Sequence, residues 1–278
     1  MRNDAPVIVT ALGGSGTRMI AAVLAAHDVY MGECFNPALD NLWLHFLLFN
    51  RNPFEDSEKL RSTIDLFDRR MRSPGRWDDE AIAAVLRQRQ RLIRNGVDIE
   101  AHRNLVLGCD SLLMRPSKIP VDLQGPWGFK YPPAYLYAPF LFDTFPGARM
   151  VFLARHPLDM AYSSNRNQLR RFGHWLGSEV QLTPRWQLKL WLKAYDHVTS
   201  LSKRYAVRCI CFEALISRPV ETFSSLFEFL GLNLDSSKLK IVRPQKSIGR
   251  YQTEPLSDFD QQDLDLVRNL GFSVGGDR

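Results

Sequence analysis

The chain has 278 residues, of which 45% are hydrophobic and 24% are charged. This is the composition of a globular protein, and it excludes a disordered chain, a collagen and a coiled coil. The 36 basic and 30 acidic side chains leave a formal net charge of +6, which favours anionic partners such as the phosphates of a nucleotide. No apolar run approaches the roughly 18 residues of a membrane span, and no signal peptide precedes the first predicted strand, so we expect a cytoplasmic protein.

The first predicted elements are a strand, a glycine-rich turn and a helix. The apolar and partly β-branched residues 6–12 predict a buried strand, which ends at the turn of residues 13–16 (GGSG). Residues 17–26 have helix-forming composition, and residues 28–31 predict a second short strand. A strand, a glycine turn and a helix in this order are typical of the first unit of an α/β nucleotide-binding domain.

The next part of the chain, from about residue 38 to 104, is rich in arginine and leucine and has few β-branched runs. This pattern is typical of helices, and we interpret the segment as a helical insertion or cap. A short strand is predicted directly after it, at 106–109. We therefore expect a single domain, residues 1–278, that carries this insertion. The predicted helices of the insertion span 38–50, 57–72 and 78–95.

Strands and helices alternate again after residue 126. The predicted strands are 127–131, 149–154 and 207–212, and the predicted helices are 134–144, a helix from 157 onward, 183–204 and 219–230. Strands joined by crossover helices pair in parallel. The sequence therefore predicts an α/β fold of three layers, in which helices cover both faces of a central, mostly parallel sheet.

The turn between the first strand and the first helix has the composition of an anion site. Its three glycines let successive backbone N–H groups point into one concavity, and the helix N-terminus behind them adds its dipole. Two hydroxyl groups and one guanidinium add further donors. The Walker pattern G-x-x-x-x-G-K-[ST] is absent, and a tight turn without a ligand is the alternative. The residues concerned are Gly13, Gly14, Ser15, Gly16, Thr17 and Arg18.

A second candidate anion site follows the strand at 149–154. Arg155 stands at the carboxyl end of that strand, where ligands of α/β sheets bind. Pro157 favours the start of a helix, and Ser163 lies six residues further on, nearly two helical turns, which returns it to the side of Pro157. An arginine and a serine in this arrangement can hold one phosphate. An arginine paired with a carboxylate, beside a serine packed in a helix, is the alternative.

Together these motifs resemble those of the cytosolic and Golgi sulfotransferases that use 3′-phosphoadenosine 5′-phosphosulfate (PAPS). Residues 14–18 resemble the loop P-[KR]-S-G-T-T, which binds the 5′-phosphosulfate in that family. Arg155, Pro157, Asp159 and Ser163 match every position of the segment R-x-P-x-[DE]-x-x-x-S, which binds the 3′-phosphate. The resemblance implies a P-loop-like fold and PAPS as co-substrate.

Two later segments extend the resemblance. Residues 212–215, Pro219 and residues 229–231 resemble the family's Y-E-D-L … P … F-L-G segment, which places Phe212 where an aromatic residue contacts adenine. Residues 246–251 resemble a basic, glycine-containing loop that closes over the cofactor. In this loop the resemblance implies four cofactor-binding residues, which are Lys246, Ser247, Gly249 and Arg250.

The resemblance implies in-line transfer of a sulfuryl group to a hydroxyl or an amine, with no metal required and no nucleic-acid partner. The basic residue of the family's first loop falls on Gly14, so we expect Arg18 or Lys130 to stabilise the leaving group, with Arg18 preferred because it belongs to the loop. A carboxylate is the expected base. Glu33 resembles the glutamate that some members carry shortly after the first helix, and Asp40 is held in reserve.

Several alternatives remain open from the sequence. His45 and His174 are the histidines to be tested as bases. The acceptor is a saccharide, a lipid, a peptide or a small molecule such as a phenol. Two other functions fit a glycine turn with basic surroundings, namely a P-loop-like small-molecule kinase and a non-catalytic protein that binds a nucleotide or an anionic polymer.

Overall fold

A parallel β-sheet lies at the centre of the fold. The computed structural model describes residues 5–54, 57–72, 78–114, 125–243 and 247–275. Within these ranges the sheet has four strands in the order β2-β1-β3-β4, and every pairing is parallel. The strands are β1 (Val7–Thr10), β2 (Gly128–Lys130), β3 (Arg149–Ala154) and β4 (Val207–Cys211). Because they are parallel, all four carboxyl ends lie at one edge of the sheet.

Helices account for most of the remaining described residues. After α1 (Thr17–Ala26), four helices precede β2, and the first three of them lie within the predicted insertion: α2 (Leu42–Leu47), α3 (Ser57–Arg72), α4 (Asp79–Arg94) and α5 (Arg103–Leu113). The later helices are α6 (Ala138–Thr144), α7 (Pro157–Ala161), α8 (Asn167–Phe172), α9 (Pro184–Leu201), α10 (Phe212–Ser217), α11 (Pro219–Leu230) and α12 (Gln261–Asn269). No helix within the described ranges is both long and apolar enough to cross a bilayer.

Two hydrophobic clusters cover the two faces of the sheet. On one face, Ile8 and Phe129 pack with residues of α2 to α5 and of α9. On the other face, Val9 and Val151 pack with residues of α1 and α11. Successive residues of a strand point to opposite faces, which is why Ile8 and Val9 belong to different clusters. The predicted α/β fold, with helices on both sides of a parallel sheet, is confirmed.

The local sequence explains where several helices begin and end. The side chain of Asn41 accepts a hydrogen bond from the backbone N–H of Leu44 at 3.1 Å and so caps α2. Asp78 caps α4 in the same way, through the N–H of Ala81 at 2.8 Å. The helix α11 begins with a proline, as expected, and ends at Gly231 in the left-handed conformation (φ 65°).

Two predicted strands are wrong. Residues 106–109 belong to helix α5, whose buried residues 105, 108, 109 and 112 recur at helical spacing. Gly108 packs so closely on α2 that a Cβ there would lie 2.4 Å from the carbonyl oxygen of Leu42. Residues 28–31 contribute one isolated parallel bridge, between Tyr30 and Trp127. The chain turns at Asp28 (φ 61°), and this leaves too little extended backbone for a strand.

Some predicted helices are shorter in the structure. The predicted helix 38–50 is reduced to α2, and the helix after Pro157 ends at Ala161. Ser163 therefore lies beyond α7 rather than within it. The predicted helix 134–144 is split into a 3₁₀ helix, Pro132–Tyr137, followed by α6. The single domain and the boundaries of its insertion, about 38–104, stay predictions.

Candidate active site

A cavity of about 640 Å³ opens at the edge of the sheet where the strands end. This volume is in the range of small-molecule sites. Each strand is followed by residues that line the cavity: the glycine turn follows β1, Arg155 follows β3, and Phe212 follows β4, while Lys130 is the last residue of β2. The fold thus brings together residues that lie far apart in the sequence.

The glycine turn is shaped by close neighbours. A Cβ on Gly16 (φ 93°) would lie 2.5 Å from Cε2 of Phe212, and one on Gly14 (φ 97°) would lie 3.2 Å from Oγ of Ser163. The left-handed φ of Gly14 also explains the missing basic residue, because a side chain at this position is strained. No side chain caps α1, so its first N–H groups are left for a ligand.

Arg155 is almost completely buried, with 5% of its side chain exposed, and it faces the glycine turn. Its Nη1 atom lies 3.5 Å from the carbonyl oxygen of Gly14, and its guanidinium carbon lies 5.0 Å from the ring centre of Phe212. The Nη2 atom donates to Oγ of Ser247 at 2.9 Å, while Nε is buried with no hydrogen-bond partner. Burial lowers the pKa of the guanidinium, yet an arginine keeps its charge in proteins.

The loop after residue 246 is held in place by Asp159. This carboxylate is fully buried and accepts hydrogen bonds from the backbone N–H groups of Gly249 at 2.8 Å and Tyr251 at 3.1 Å. It also lies 3.5 Å from the guanidinium of Arg155. The loop thereby brings Ser247 and Arg250 to the cavity. Lys246 lies outside the described residues.

A buried ion pair lies at the end of β2. Nζ of Lys130 pairs with Oδ1 of Asp40 and donates to the carbonyl oxygen of Ala38 at 2.7 Å. Burial lowers the pKa of Lys130, and the neighbouring Asp40 carboxylate opposes this effect. Asn36 donates to the second oxygen of Asp40 at 2.8 Å. Arg18 also lines the cavity, where it donates to the carbonyl oxygen of Pro37 at 3.2 Å.

Not every residue predicted from the sequence lines the cavity. Ser15 is buried, and its backbone N–H and hydroxyl both donate to the carbonyl oxygen of Leu12, at 3.2 and 2.7 Å. Glu33 does not line the cavity and instead acts electrostatically on Arg70 and Tyr30. The base role expected for Glu33 stays a prediction, whereas Asp40, the reserve carboxylate, does line the cavity.

The two candidate histidine bases lie elsewhere. Burial, assisted by Arg171, lowers the pKa of His45 to about 3, so its imidazole is a weak base. Neither His45 nor His174 lines the 640 Å³ cavity. Within the described part of the chain, no group of three or more His, Cys, Asp and Glu side chains is placed to hold a metal ion. The expectation of a metal-free reaction stays a prediction.

Asn165 is a cavity residue that the sequence motifs did not predict. This residue lines the cavity, and its side chain is the nearest neighbour that a Cβ on Gly13 would meet, at 3.0 Å. Its backbone N–H donates to Oγ of Ser163 at 3.2 Å. The sequence did hold a signal for it. Asn165 is a polar residue only two positions after Ser163, so it had to lie near the predicted phosphate site.

Two comparisons with known proteins, one of sequence and one of structure, both find sulfotransferases. A sequence model described as "Sulfotransferase family" matches residues 6–236. The sulfotransferase domain from the curacin biosynthetic pathway is 14% identical, with 97% of this chain and 98% of that chain covered and a TM-score of 0.50. The sulfotransferase domain of the Synechococcus PCC 7002 olefin synthase is also 14% identical, with 97% and 95% covered and a TM-score of 0.51. No curated protein sequence matches the chain. At this low sequence identity the structural similarities show the fold alone, and they confirm the predicted P-loop-like fold.

Proposed function

This chain belongs to the sulfotransferase family, and from that premise we propose that it transfers the sulfuryl group of PAPS to a hydroxyl or amine of an acceptor. One observation carries the proposal. Arg155 and Ser163 meet the glycine turn in the same cavity that Lys130 and Asp40 line at the end of the neighbouring strand. The proposed nucleotide site and the proposed site of proton transfer therefore share one cavity.

The residues around the cavity fit the two ends of an adenosine diester. The buried and unpartnered Nε of Arg155 and the hydroxyl of Ser163 suit a 3′-phosphate. The ring of Phe212 has no exposed surface, so its contact with adenine stays a prediction from the resemblance. The uncapped N-terminus of α1 suits the 5′-phosphosulfate. The proposed donor-binding residues that line the cavity are Gly13, Gly14, Gly16, Thr17, Arg18, Arg155, Ser163, Phe212, Ser247 and Arg250.

Charge and proton transfer are assigned to three residues. During in-line transfer the sulfur–oxygen bond to the 5′-phosphate breaks as the bond to the acceptor oxygen forms, and adenosine 3′,5′-bisphosphate is left. Arg18 and Lys130 stabilise the charge that develops on the 5′-phosphate. Asp40 accepts the proton of the acceptor, because it is the carboxylate among the described residues that line the cavity.

Nucleotide binding tests the donor site. We expect adenosine 3′,5′-bisphosphate to stabilise the protein against heat, whereas ATP and AMP have little effect. In Arg155→Ala the dissociation constant of the bisphosphate rises about 100-fold, which corresponds to about 3 kcal/mol of lost charged hydrogen bonds. The affinity for AMP changes little, because AMP has no 3′-phosphate.

Two controls accompany this measurement. Arg208→Ala removes an arginine that bonds to Ser225 and does not line the cavity, so the affinity for the bisphosphate stays that of the original chain. Equal losses for the bisphosphate and AMP in Arg155→Ala contradict the 3′-phosphate assignment. Turnover of ATP with Mg²⁺ in place of PAPS supports the kinase alternative instead.

A matched pair of carboxylate variants tests the base. With radiolabelled PAPS and a panel of saccharides, lipids, peptides and phenols, Asp40→Asn lowers turnover by about 10²–10⁴-fold, the usual contribution of a general base. Glu33→Gln leaves turnover within about twofold. Both variants keep the original affinity for adenosine 3′,5′-bisphosphate. The opposite pattern of turnover assigns the base to Glu33.

A further inference from the structure

A second cavity, of about 480 Å³, lies between α2, α5 and α8. Three arginines, two histidines and two asparagines line it. No aspartate or glutamate of the described residues lines it. We call it the arginine cavity. Its basic residues are Arg103, Arg170, Arg171, His45 and His102.

The positive charge of the arginine cavity is not neutralised by the protein. No carboxylate of the described residues forms an ion pair with Arg103, Arg170 or Arg171, although other exposed arginines of the insertion do form such pairs. Arg61 pairs with Asp143, for example, at 3.4 Å. Three unpaired guanidinium groups around one concavity attract an anion and raise its local concentration.

Arg171 is held in a fixed position. Its guanidinium carbon lies 4.6 Å from the ring centre of Phe49 and 5.0 Å from that of Phe172, and Nη2 lies 3.5 Å from the hydroxyl of Tyr131. The bond to Tyr131 uses Nη2, whereas Nε and Nη1 have no hydrogen-bond partner among the described residues and are left for a ligand. A guanidinium fixed in this way loses little conformational freedom when it binds an oxyanion.

Two further features favour an anion here. Helix α5 begins at Arg103 without a side-chain cap, and its first residues, Arg103, Asn104 and Leu105, line the cavity. The positive end of its dipole therefore adds to the arginines. His45 is uncharged at neutral pH, since burial and Arg171 lower its pKa to about 3. Its imidazole offers a neutral hydrogen-bonding group beside the charged ones.

The arginine cavity adjoins the proposed site of sulfuryl transfer. Asn167 lines the arginine cavity, and its backbone N–H donates at 3.2 Å to the side chain of Asn165, which lines the first cavity. Asp40 is close enough to oppose Arg171 in its effect on the pKa of His45. The two cavities are therefore neighbours.

We propose that the acceptor is an acidic compound whose oxyanion, a carboxylate or a phosphate or sulfate ester, binds in the arginine cavity while its hydroxyl lies against Asp40 and Lys130. This proposal rests on the proposed function. It explains why three arginines without acidic partners are gathered in a cavity that neighbours the proposed base.

The first test measures anion binding without turnover. The full chain is saturated with adenosine 3′,5′-bisphosphate to fill the first cavity, and the ring resonances of His45 and His102 are followed by NMR during titration with methyl glucuronide, glucose 6-phosphate or methyl glucoside. We expect saturable shifts with the two acids and none with the neutral glycoside. The two acids distinguish a carboxylate from a phosphate ester. Shifts that do not saturate, or equal shifts with the neutral glycoside, overturn the proposal.

Variants locate the anion. Arg103→Gln combined with Arg170→Gln raises the dissociation constant of the acidic compounds at least tenfold and leaves the affinity for adenosine 3′,5′-bisphosphate unchanged. Arg94→Gln, an exposed arginine of α4 outside both cavities, changes neither value. Equal losses in the double variant and the control overturn the proposal. Failure to bind the bisphosphate refutes the nucleotide site alone, because anion shifts at His45 and His102 remain measurable without it.

Discussion

The contact between Gly16 and Phe212 gives a prediction whose magnitude follows from the structure. Gly16 adopts φ 93°, which costs a residue with a side chain about 1–2 kcal/mol. The Cβ of an alanine would also lie 2.5 Å from Cε2 of Phe212, a ring with no exposed surface. Moving such a ring within a packed core costs about 1–3 kcal/mol more. We expect Gly16→Ala to lower the free energy of unfolding by about 2–5 kcal/mol.

A matched control separates the two costs. Gly96 also has a positive φ of 75°, but no atom lies within 4 Å of the position that its Cβ would take. Gly96→Ala therefore carries the backbone cost alone, about 1–2 kcal/mol. In a Phe212→Ala background the atoms that a Cβ on Gly16 would meet are gone, so Gly16→Ala costs about as much as Gly96→Ala.

The assay is urea-induced unfolding followed by far-UV circular dichroism, together with the affinity for adenosine 3′,5′-bisphosphate. Because the displaced ring of Phe212 lies 5.0 Å from the guanidinium of Arg155, we expect Gly16→Ala to weaken nucleotide binding as well. If Gly16→Ala costs no more than Gly96→Ala, the ring does not pack on the turn, and the geometry assigned to this end of the cavity is refuted.

Three more predictions concern buried polar groups. Asp159→Asn turns an amide N–H₂ toward a backbone N–H of the loop 247–251. We expect the free energy of unfolding, measured in urea, to fall by about 2–3 kcal/mol, and proteolysis within the loop to become faster. His45 has a pKa of about 3 in the folded protein and about 6.5 in the unfolded chain, so the unfolded chain gains the proton first as the pH falls. Stability then falls by about 1.36 kcal/mol per pH unit below 6.5, or about 2 kcal/mol at pH 5, and an unchanged pH slope in His45→Gln contradicts this. Gln168→Leu removes a hydrogen bond from the Tyr135 hydroxyl at 3.1 Å and one to the backbone carbonyl of Ala11 at 2.9 Å. We expect the free energy of unfolding to fall by about 2–4 kcal/mol, and adding Tyr135→Phe in a double-mutant cycle recovers part of this loss.

The strands of the sheet could be predicted because each is marked by a short stretch of the sequence itself. The apolar run before the glycine turn, and the run that ends at Arg155, each identify a buried strand without knowledge of its neighbours. A short apolar run is ambiguous when it is also compatible with a helix. Residues 106–109 show this, since their burial at helical spacing depends on packing against α2, more than 50 residues earlier.

The candidate site is less predictable because its contacts are distant in sequence. Arg155 bonds to Ser247 across 92 residues, and Lys130 pairs with Asp40 across 90. Glu33 and Asp40 lie in the same segment between α1 and α2, and composition does not reveal which of them faces the cavity. The outcome is set by Lys130, which attracts Asp40, and by Arg70, which lies near Glu33.

The contacts of Asp159 with the loop 247–251 form late during synthesis of the chain, and the proposed nucleotide site is incomplete until then. Its partners at Gly249 and Tyr251 lie 90 and 92 residues away, beyond the part of the chain that the family model matches. Domains begin to fold from the N-terminus while the ribosome is still extending the chain. The glycine turn and Arg155 are therefore made long before the segment that covers the guanidinium. In the nascent polypeptide this charge stays open to solvent and to cellular anions until residues 247–251 have been translated.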